Sequence, residues 1–257
     1  FLSVDLRERP ALGGRPAAVA APSGRSVVLS ASYEARAYGV RSAMPLAHAR
    51  ALCPPLVVVP PRQDVYRSVS ADVMALLGQV TPVLEQLSVD EAFLDVAGAR
   101  RRLGPPARIG GLIRRRVREE LGLPCTVGAA GVKFVAKMAS TAAKPDGLIV
   151  VPPERTLEFL HPLPVGRLWG VGPKAAEALR RRGMATIGDL AAADPEQLER
   201  AFGAAGRSWA QLSRGIDPRP VAPRPAARSI GADHTFDVDP LDVAGVDLEV
   251  LRLCHRV

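Results

Sequence analysis

Two adjacent carboxylates, Asp90 and Glu91, stand inside residues 88–95, an otherwise apolar stretch with the pattern of a β-strand. Neighbouring side chains on an extended chain point to opposite faces, so the pair cannot share one face within a strand. At a turn between two strands, both carboxylates could converge on one hard divalent cation, which prefers oxygen ligands. The alternative is a hairpin turn whose acids face water, as Asp and Glu usually do. The stretch predicts a hairpin and leaves open whether that hairpin binds a metal.

Strand and helix patterns alternate on both sides of this stretch. Apolar residues spaced by three and four predict helices, and short β-branched runs predict strands. In chain order the patterns are a hairpin (16–30), a helix (62–80), the carboxylate stretch (88–95), a helix (109–121), a strand (125–128), a helix (134–143) and a strand (148–151). This order predicts an α+β fold in which a sheet carries helices on one face.

A short helix predicted from Ser32 to Gly39 offers a candidate phosphate site. Ser32 is a favourable N-cap and Gly39 a favourable stop. Tyr33 and Arg36 are three residues apart, so they share a face beside the backbone N–H groups of the first turn. A tyrosine and an arginine that are simply exposed on a surface helix are the alternative.

The charge of the chain favours an anionic partner such as nucleic acid, because 34 basic and 26 acidic residues leave a net charge of +8. Aromatic residues make up only 4% of the sequence, which disfavours base stacking and favours contacts between cations and a phosphate backbone. Only four basic residues are lysines, and Lys133, Lys137 and Lys144 lie within twelve residues. Such clustering indicates positions that need a compact ammonium, although lysines at a helix end also stabilise the helix dipole.

A mostly helical region is predicted to begin after residues 152–153. In it, Gly170 and Gly172 precede Lys174 and a basic helix. A turn with two glycines can present backbone N–H groups to a phosphate where the next helix begins, which is typical of a helix-hairpin-helix that grips DNA without reading its sequence. A connection used only for packing is the alternative. Four prolines and three arginines in residues 216–228 predict a stiff basic linker.

The remaining composition excludes several classes of protein. No apolar run approaches the roughly 18 residues of a membrane helix, and no secretory leader is visible, so we expect a cytoplasmic protein without membrane contact. Three cysteines, far apart and odd in number, fit neither a disulfide framework nor a zinc site.

Several stretches, in the same order, resemble the Y-family, or translesion, DNA polymerases, and within that family the bacterial DNA polymerase IV branch. They are residues 32–36, 88–95, 126–128, 136–140, 143–147 and 169–172, with Gly39, Met44, Pro45, Ser229, Ile230, Thr235 and Phe236. The resemblance extends from Phe1 to the end of the chain, and its strength comes from the whole set of motifs.

The resemblance implies a right-hand polymerase with a palm sheet, small fingers, a helical thumb with a helix-hairpin-helix, and a truncated little-finger domain. The implied divisions are the fingers with the end of the first palm segment (1–62), the palm (63–151), the thumb (152–216), the linker (217–228) and the start of the little finger (229–257). The implied function is template-directed addition of deoxynucleotides to a primer 3′ end, in DNA damage tolerance and repair.

The resemblance also implies roles for single residues. Asp90 and Glu91 are implied to ligate two catalytic Mg²⁺ ions, with Glu91 beside the primer 3′ hydroxyl as a catalytic group. Phe1 falls at the steric gate, which excludes a 2′ hydroxyl, and a register shift of one residue would move the gate to Leu2. The other implied nucleotide-binding residues are Ser30, Tyr33, Arg36 and Lys144. The implied DNA-binding residues are Lys137, Gly170, Gly172 and Lys174.

Two departures from the family pattern matter. The family's paired acids of the first palm strand would precede Phe1, so one metal ligand is expected outside residues 1–257, and we expect this chain alone to bind DNA weakly without templated synthesis. Val132 stands where the family has asparagine, before Lys133.

The implied partners are primer–template DNA and a deoxynucleoside triphosphate, and a sliding clamp is a further candidate through a tail beyond Val257. One alternative function is a catalytically inactive, polymerase-like accessory protein that binds DNA, for which loss of the acid pair would be the sign. A palm-fold nucleotide cyclase would lack the helix-hairpin-helix and the basic linker, so we set it aside.

Overall fold

The computed structural model describes residues 1–223 and 229–257, and the end of the predicted linker, residues 224–228, lies outside this part. The helices are α1 Leu2–Glu8, α2 Tyr33–Ala37, α3 Leu46–Leu52, α4 Gln63–Gly78, α5 Arg100–Leu103, α6 Pro106–Leu121, α7 Lys133–Ala142, α8 Thr156–Leu160, α9 Pro173–Arg180, α10 Ile187–Ala192, α11 Pro195–Phe202, α12 Ala204–Ser213 and α13 Val243–Cys254. The strands are β1 Ala17–Val19, β2 Ser30–Ala31, β3 Val57–Val59, β4 Leu84–Gln86, β5 Ala92–Leu94, β6 Val127–Ala130 and β7 Leu148–Val151.

The chain divides into two compact units, Phe1–Ala71 with Arg224–Val257, and Asp72–Pro223. This division is coarser than the five predicted domains, whose boundaries stay predictions. None of the described helices has the length and apolar composition needed to cross a bilayer.

The first unit is organised around β1, which is fully buried. β1 pairs antiparallel with β2 and parallel with β3, so the predicted hairpin is confirmed. Ser32 follows β2 directly and caps α2, because its hydroxyl accepts the Ala35 N–H at 3.1 Å. The same hydroxyl oxygen accepts the Ala17 N–H at 3.1 Å, so the start of α2 is fixed to the sheet.

The second unit contains an antiparallel hairpin of β4 and β5 and a parallel pair of β6 and β7. A side chain at Gly128 would collide with the backbone of α7, whereas a side chain at Gly110 of α6 would meet Leu148 and Val127. Since successive strand residues point to opposite faces, α6 and α7 lie on opposite faces of the β6–β7 pair. The prediction of helices on one face is therefore wrong for this pair, because parallel strands bury both faces.

The helical region after β7 shares one apolar core with α7. Phe134 of α7, Leu160 of α8, Leu179 of α9 and Ile187 of α10 are all fully buried in it. Truncating a leucine in such a core costs about 2–5 kcal/mol of unfolding free energy. The α9–α10 region is therefore anchored to the helix that carries Lys133 and Lys137.

Candidate active site

Asp90 and Glu91 lie at the turn of the β4–β5 hairpin, just before β5 begins. The turn is closed by hydrogen bonds from the Leu87 and Ser88 N–H groups to the Glu91 carbonyl oxygen, at 2.9 and 3.3 Å. Both acidic residues are exposed, and the Ser88 hydroxyl donates to Asp90 Oδ1 at 2.7 Å. The hairpin predicted from the acid pair is confirmed, and its two carboxylates are exposed.

Lys137 of α7 reaches across to this turn. Its ammonium lies 2.7 Å from each carboxylate oxygen of Glu91. One turn earlier on α7, Lys133 contacts both carboxylate oxygens of Glu85 on β4, at 2.9 and 2.7 Å. Lysines four residues apart share one helix face, so α7 holds the β4–β5 hairpin at two points.

Glu85 is a member of the site that sequence reasoning missed. Burial alone would raise the pKa of its carboxyl, but hydrogen bonds from Lys133 and from the Ala222 N–H outweigh it and leave that pKa below the usual value. Glu85 lies on β4, where it pairs across the hairpin with Phe93. Its partner on α7, however, is 48 residues away in sequence.

Lys144, by contrast, is exposed, and within the described part of the chain its side chain makes no hydrogen bond or ion pair. It lies in the loop between α7 and β7. That loop is anchored at Asp146, whose backbone takes the left-handed conformation (φ +45°). Arg114 of α6 donates to the Asp146 carbonyl oxygen, and Arg118 pairs with its carboxylate. The loop is therefore held while its lysine stays open to an anion.

Trp169 lies against the same group of residues. Lys137 Nζ is 6.0 Å from the centre of its ring, and the Arg219 guanidinium is 4.7 Å from it. Arg219 also pairs with Asp217, at 2.7 Å, and the Asp217 side chain is only 1% exposed. Burial would raise the pKa of the Asp217 carboxyl, but hydrogen bonds from Arg219 outweigh it and leave it lowered. Arg219 belongs to the predicted basic linker, and its side chain stays half exposed while it packs on the Trp169 ring.

The predicted helix-hairpin-helix residues lie at the start of α9. Gly170 has a φ of +90°, a conformation that side chains rarely adopt, and Gly172 is the N-cap of α9. A side chain at Gly172 would meet open space, and no side chain caps this helix end. Lys174 is exposed in the first turn of α9. The turn can therefore present free N–H groups to an anion.

In the first unit, Tyr33 and Arg36 share α2, and Ser30 lies just before it on β2. Tyr33 is 56% exposed. The Arg36 guanidinium donates through Nε to the Ala31 carbonyl at 3.1 Å, which fixes its stem beside β2. These three residues therefore lie close together in the chain, on the end of β2 and on the short helix α2 that follows it.

Phe1 stacks on Tyr66 of α4, with ring centres 4.8 Å apart and planes at 19°. The Tyr66 hydroxyl donates to Asp5 Oδ2 at 2.6 Å, and Arg62 Nε donates to Asp5 Oδ1 at 2.9 Å. Asp5 is fully buried. Leu2, in contrast, is 3% exposed in the apolar core. Sequence reasoning missed this buried network, which supports the Phe1 ring from one side.

The donors at the hairpin turn suit a hard divalent cation, since they are exposed carboxylate oxygens. Within residues 1–223 and 229–257, however, no three acidic, histidine or cysteine side chains converge on one point. Asp90 and Glu91 therefore fit as two ligands of a larger set.

The first 141 residues match the model of the impB/mucB/samB family, and residues 153–184 match the helix-hairpin-helix motif of the same group. The chain is 47% identical over 240 residues to DNA polymerase IV of Alkalilimnicola ehrlichii, and this match covers 93% of the chain and 68% of the relative. It belongs to the Y-family of DNA polymerases. DNA polymerase IV of Ralstonia nicotianae is 44% identical, over the full chain and 73% of the relative.

Solved Y-family structures have the same fold. A Y-family polymerase chimera of Dbh and Dpo4 superposes on the whole chain and 76% of its own length, with a TM-score of 0.90 and 28% identity. DinB from Sulfolobus solfataricus covers 86% of the chain and 66% of its own length, with a TM-score of 0.78 and 30% identity. The family, the fold and the enzyme class predicted from the sequence, a DNA-directed DNA polymerase, are confirmed, and the family requires a divalent metal.

Proposed function

We propose that the polymerase containing this chain adds deoxynucleotides to a primer 3′ end, opposite a template, by two-metal phosphoryl transfer during translesion synthesis and repair. The observation that carries the proposal is the hairpin turn, where two exposed carboxylates are adjacent and Lys137 of α7 contacts one of them, Glu91. If the turn only faced water, its acids would not require the orienting contact that Lys137 makes with Glu91.

Asp90 and Glu91 are proposed to hold Mg²⁺ together with at least one further acid. Two Mg²⁺ ions, when bound, would lower the pKa of the attacking 3′ hydroxyl and stabilise the charge on the departing pyrophosphate. Glu91 would lie beside the primer hydroxyl. Asp90 is oriented for this role by the Ser88 hydroxyl, which occupies one carboxylate oxygen and leaves the other free.

Lys137 is proposed to orient Glu91 and to lie close to the phosphates of the nucleic acid. Its ammonium contacts both oxygens of Glu91, so it fixes the rotamer of that carboxylate. Removing a group that orients a metal ligand in this way commonly lowers metal affinity or activity by about 10- to 100-fold.

The incoming nucleotide is proposed to bind through cations on its triphosphate and an aromatic ring under its sugar. Arg36 and Lys144 would pair with phosphate oxygens, and Tyr33 and Ser30 would donate hydroxyl hydrogen bonds. Phe1 would be the steric gate, because its ring is held on Tyr66 and is therefore unable to move aside for a 2′ hydroxyl.

The primer–template is proposed to be held by its backbone. Gly170 and Gly172 would present N–H groups at the start of α9 to a phosphate, with Lys174 beside them. Such contacts position DNA without reading its sequence. The same proposal includes a sliding clamp as a further partner, bound through a tail beyond Val257. It also includes a cytoplasmic location.

Template-directed incorporation tests this function. The intact polymerase would be given a primer on four templates that differ only in the first unpaired base, with one dNTP at a time and Mg²⁺. We expect extension only by the complementary dNTP. Tight primer–template binding without any extension, in Mg²⁺ or Mn²⁺, would instead indicate the accessory DNA-binding protein.

A further inference from the structure

The excess positive charge of the chain is concentrated in one segment. Residues 96–118 contain eight arginines and no acidic residue. The whole chain has 34 basic and 26 acidic residues, so the 26 basic residues outside this segment balance all the acids. An excess of eight positive charges therefore lies on residues 96–118, which comprise α5, most of α6 and the short connection between them.

These eight arginines fall into two groups. Three pair with acids and one donates to main-chain carbonyls, namely Arg114 and Arg118 with Asp146, Arg116 with Glu120, and Arg102 with Gln79 and Val80. The side chains of the other four are exposed and make no hydrogen bond or ion pair to any residue that the structure describes: Arg100, Arg101, Arg108 and Arg115. We call these four the open arginines. Their guanidinium groups are available to an external anion.

Two of the open arginines border a pocket between α5 and α6. Its volume is about 360 Å³, and it is lined by Arg102, Leu103, Arg108, Gly111, Leu112 and Arg115. Arg102 is fixed by the carbonyls that it contacts, each at 3.3 Å. No acid lines the pocket, and Glu119, one helical turn beyond Arg115, makes no ion pair within the described residues.

This surface is separate from the catalytic hairpin. α6 buries Ile109, Ile113 and Val117 and packs on the face of the β6–β7 pair opposite to α7, as Gly110 and Gly128 show. α7 carries Lys137, which contacts Glu91. A polyanion on the open arginines would therefore lie on the opposite side of the β6–β7 pair from α7. It would not compete with a substrate bound at the acid pair.

We propose that the open arginines bind the phosphate backbone of a nucleic-acid strand, as a second contact outside the catalytic hairpin. Planar guanidinium forks match phosphate oxygens and can bind them in pairs. Arg108 and Arg115 are seven residues apart on one helix face, about 10 Å along the axis, which suits two separate phosphates of a strand better than one small anion. α5 and α6 contain no aromatic residue, so the contact reads the backbone and not the bases.

Salt-dependent binding tests the proposal. The intact polymerase would be titrated into a fluorescent, covalently closed duplex circle and a closed single-stranded circle, neither of which has a primer end, over a series of NaCl concentrations. The variant Arg108→Gln/Arg115→Gln would be compared with Arg155→Gln/Arg207→Gln. The control removes two exposed arginines that are each paired with a glutamate, so the change in net charge is the same.

Each phosphate contact contributes about 0.9 to the slope of log K against log salt for duplex and about 0.7 for single strands. We expect the Arg108/Arg115 variant to lose roughly 1.8 of the slope on one circle or roughly 1.4 on the other, and the two circles identify the strand type. Arg100→Gln/Arg101→Gln tests the same surface from α5 and should act in the same direction. The control should keep the wild-type slope. At saturating primer–template, all variants should keep the wild-type kcat and the wild-type KM for dNTP.

Slopes that match the control for both open-arginine variants, on both circles, would overturn the proposal. A polyglutamate chain offers a sharper contradiction. If it binds the wild type and not the open-arginine variants, while both circles bind all proteins equally, the surface recognises an acidic polypeptide and not nucleic acid.

Discussion

The Lys137 ammonium lies 2.7 Å from both carboxylate oxygens of Glu91. Four residues earlier, the Lys133 ammonium contacts both carboxylate oxygens of Glu85. The two ion pairs share one helix and one hairpin, but only Glu91 is proposed to ligate a metal. They therefore form a matched pair for separating support of the catalytic carboxylate from support of the fold.

Lys137→Met should lower kcat for primer extension by about 10- to 100-fold, because Glu91 loses the group that orients it. Lys133→Met removes the same charge from the same helix face and should leave kcat close to that of the wild type. Steady-state extension by the intact polymerase at saturating DNA measures both. Equal losses in the two variants would show that the lysines only hold α7 against the hairpin.

Arg36→Ala and Lys144→Ala should each raise KM for dNTP and lower kcat by about tenfold or more, since charge on the phosphates grows in the transition state. Lys174→Ala is the control, because it is proposed to touch only the DNA backbone and should weaken DNA binding without changing KM for dNTP. An effect of Arg36→Ala or Lys144→Ala on DNA affinity alone would move these residues to the duplex.

Phe1→Ala should increase ribonucleotide incorporation, because removing the ring opens space for a 2′ hydroxyl. Dual-label incorporation of ribo- and deoxynucleotides by the intact polymerase measures the ratio. Leu2→Ala, at a buried core position, should lower stability by about 2–5 kcal/mol and leave sugar selectivity unchanged. The reverse pattern would assign the gate to Leu2.

Tyr66 gives a prediction in the alkaline range. Burial, with the hydrogen bond to Asp5 acting in the same direction, raises the pKa of its hydroxyl to about 12. A raised pKa means that this hydrogen bond stabilises the fold fully below the unfolded pKa of about 10 and is lost as pH rises through about 12. Tyr66→Phe should cost roughly 1.5–3 kcal/mol at pH 7 in urea unfolding, because the buried carboxylate loses a donor.

Absorbance of the phenolate checks the same assignment directly. The difference between wild type and Tyr66→Phe should be a single phenolate that forms near pH 12. A difference that already titrates near pH 10 would contradict the buried network.

The sequence was sufficient wherever a local pattern determines the structure. The acid pair predicted a turn because a strand cannot place adjacent side chains on one face, and Ser32 predicted its helix start because an N-cap acts within three residues. Contacts between distant segments were not readable: Tyr66 and Asp5 are 61 residues apart, and Lys133 and Glu85 are 48 apart. Each partner is ordinary in its own segment, so only the packing of the segments reveals the pair.

The same reason explains the one misjudged feature of the fold. The helices on both faces of β6–β7 follow from a parallel pairing that no single segment encodes. The contact of Arg219 with Trp169, 50 residues earlier in the chain, was likewise not readable from the linker segment alone.

The central claim is that Asp90 and Glu91 serve chemistry, while other residues hold the DNA. The most direct measurement compares Asp90→Asn and Glu91→Gln with the wild type in the intact polymerase, recording primer extension and primer–template affinity in the same buffer. The account predicts that extension falls at least about a hundredfold while affinity stays nearly unchanged, because cations and helix N-termini hold the backbone. Near wild-type extension by either variant would contradict it.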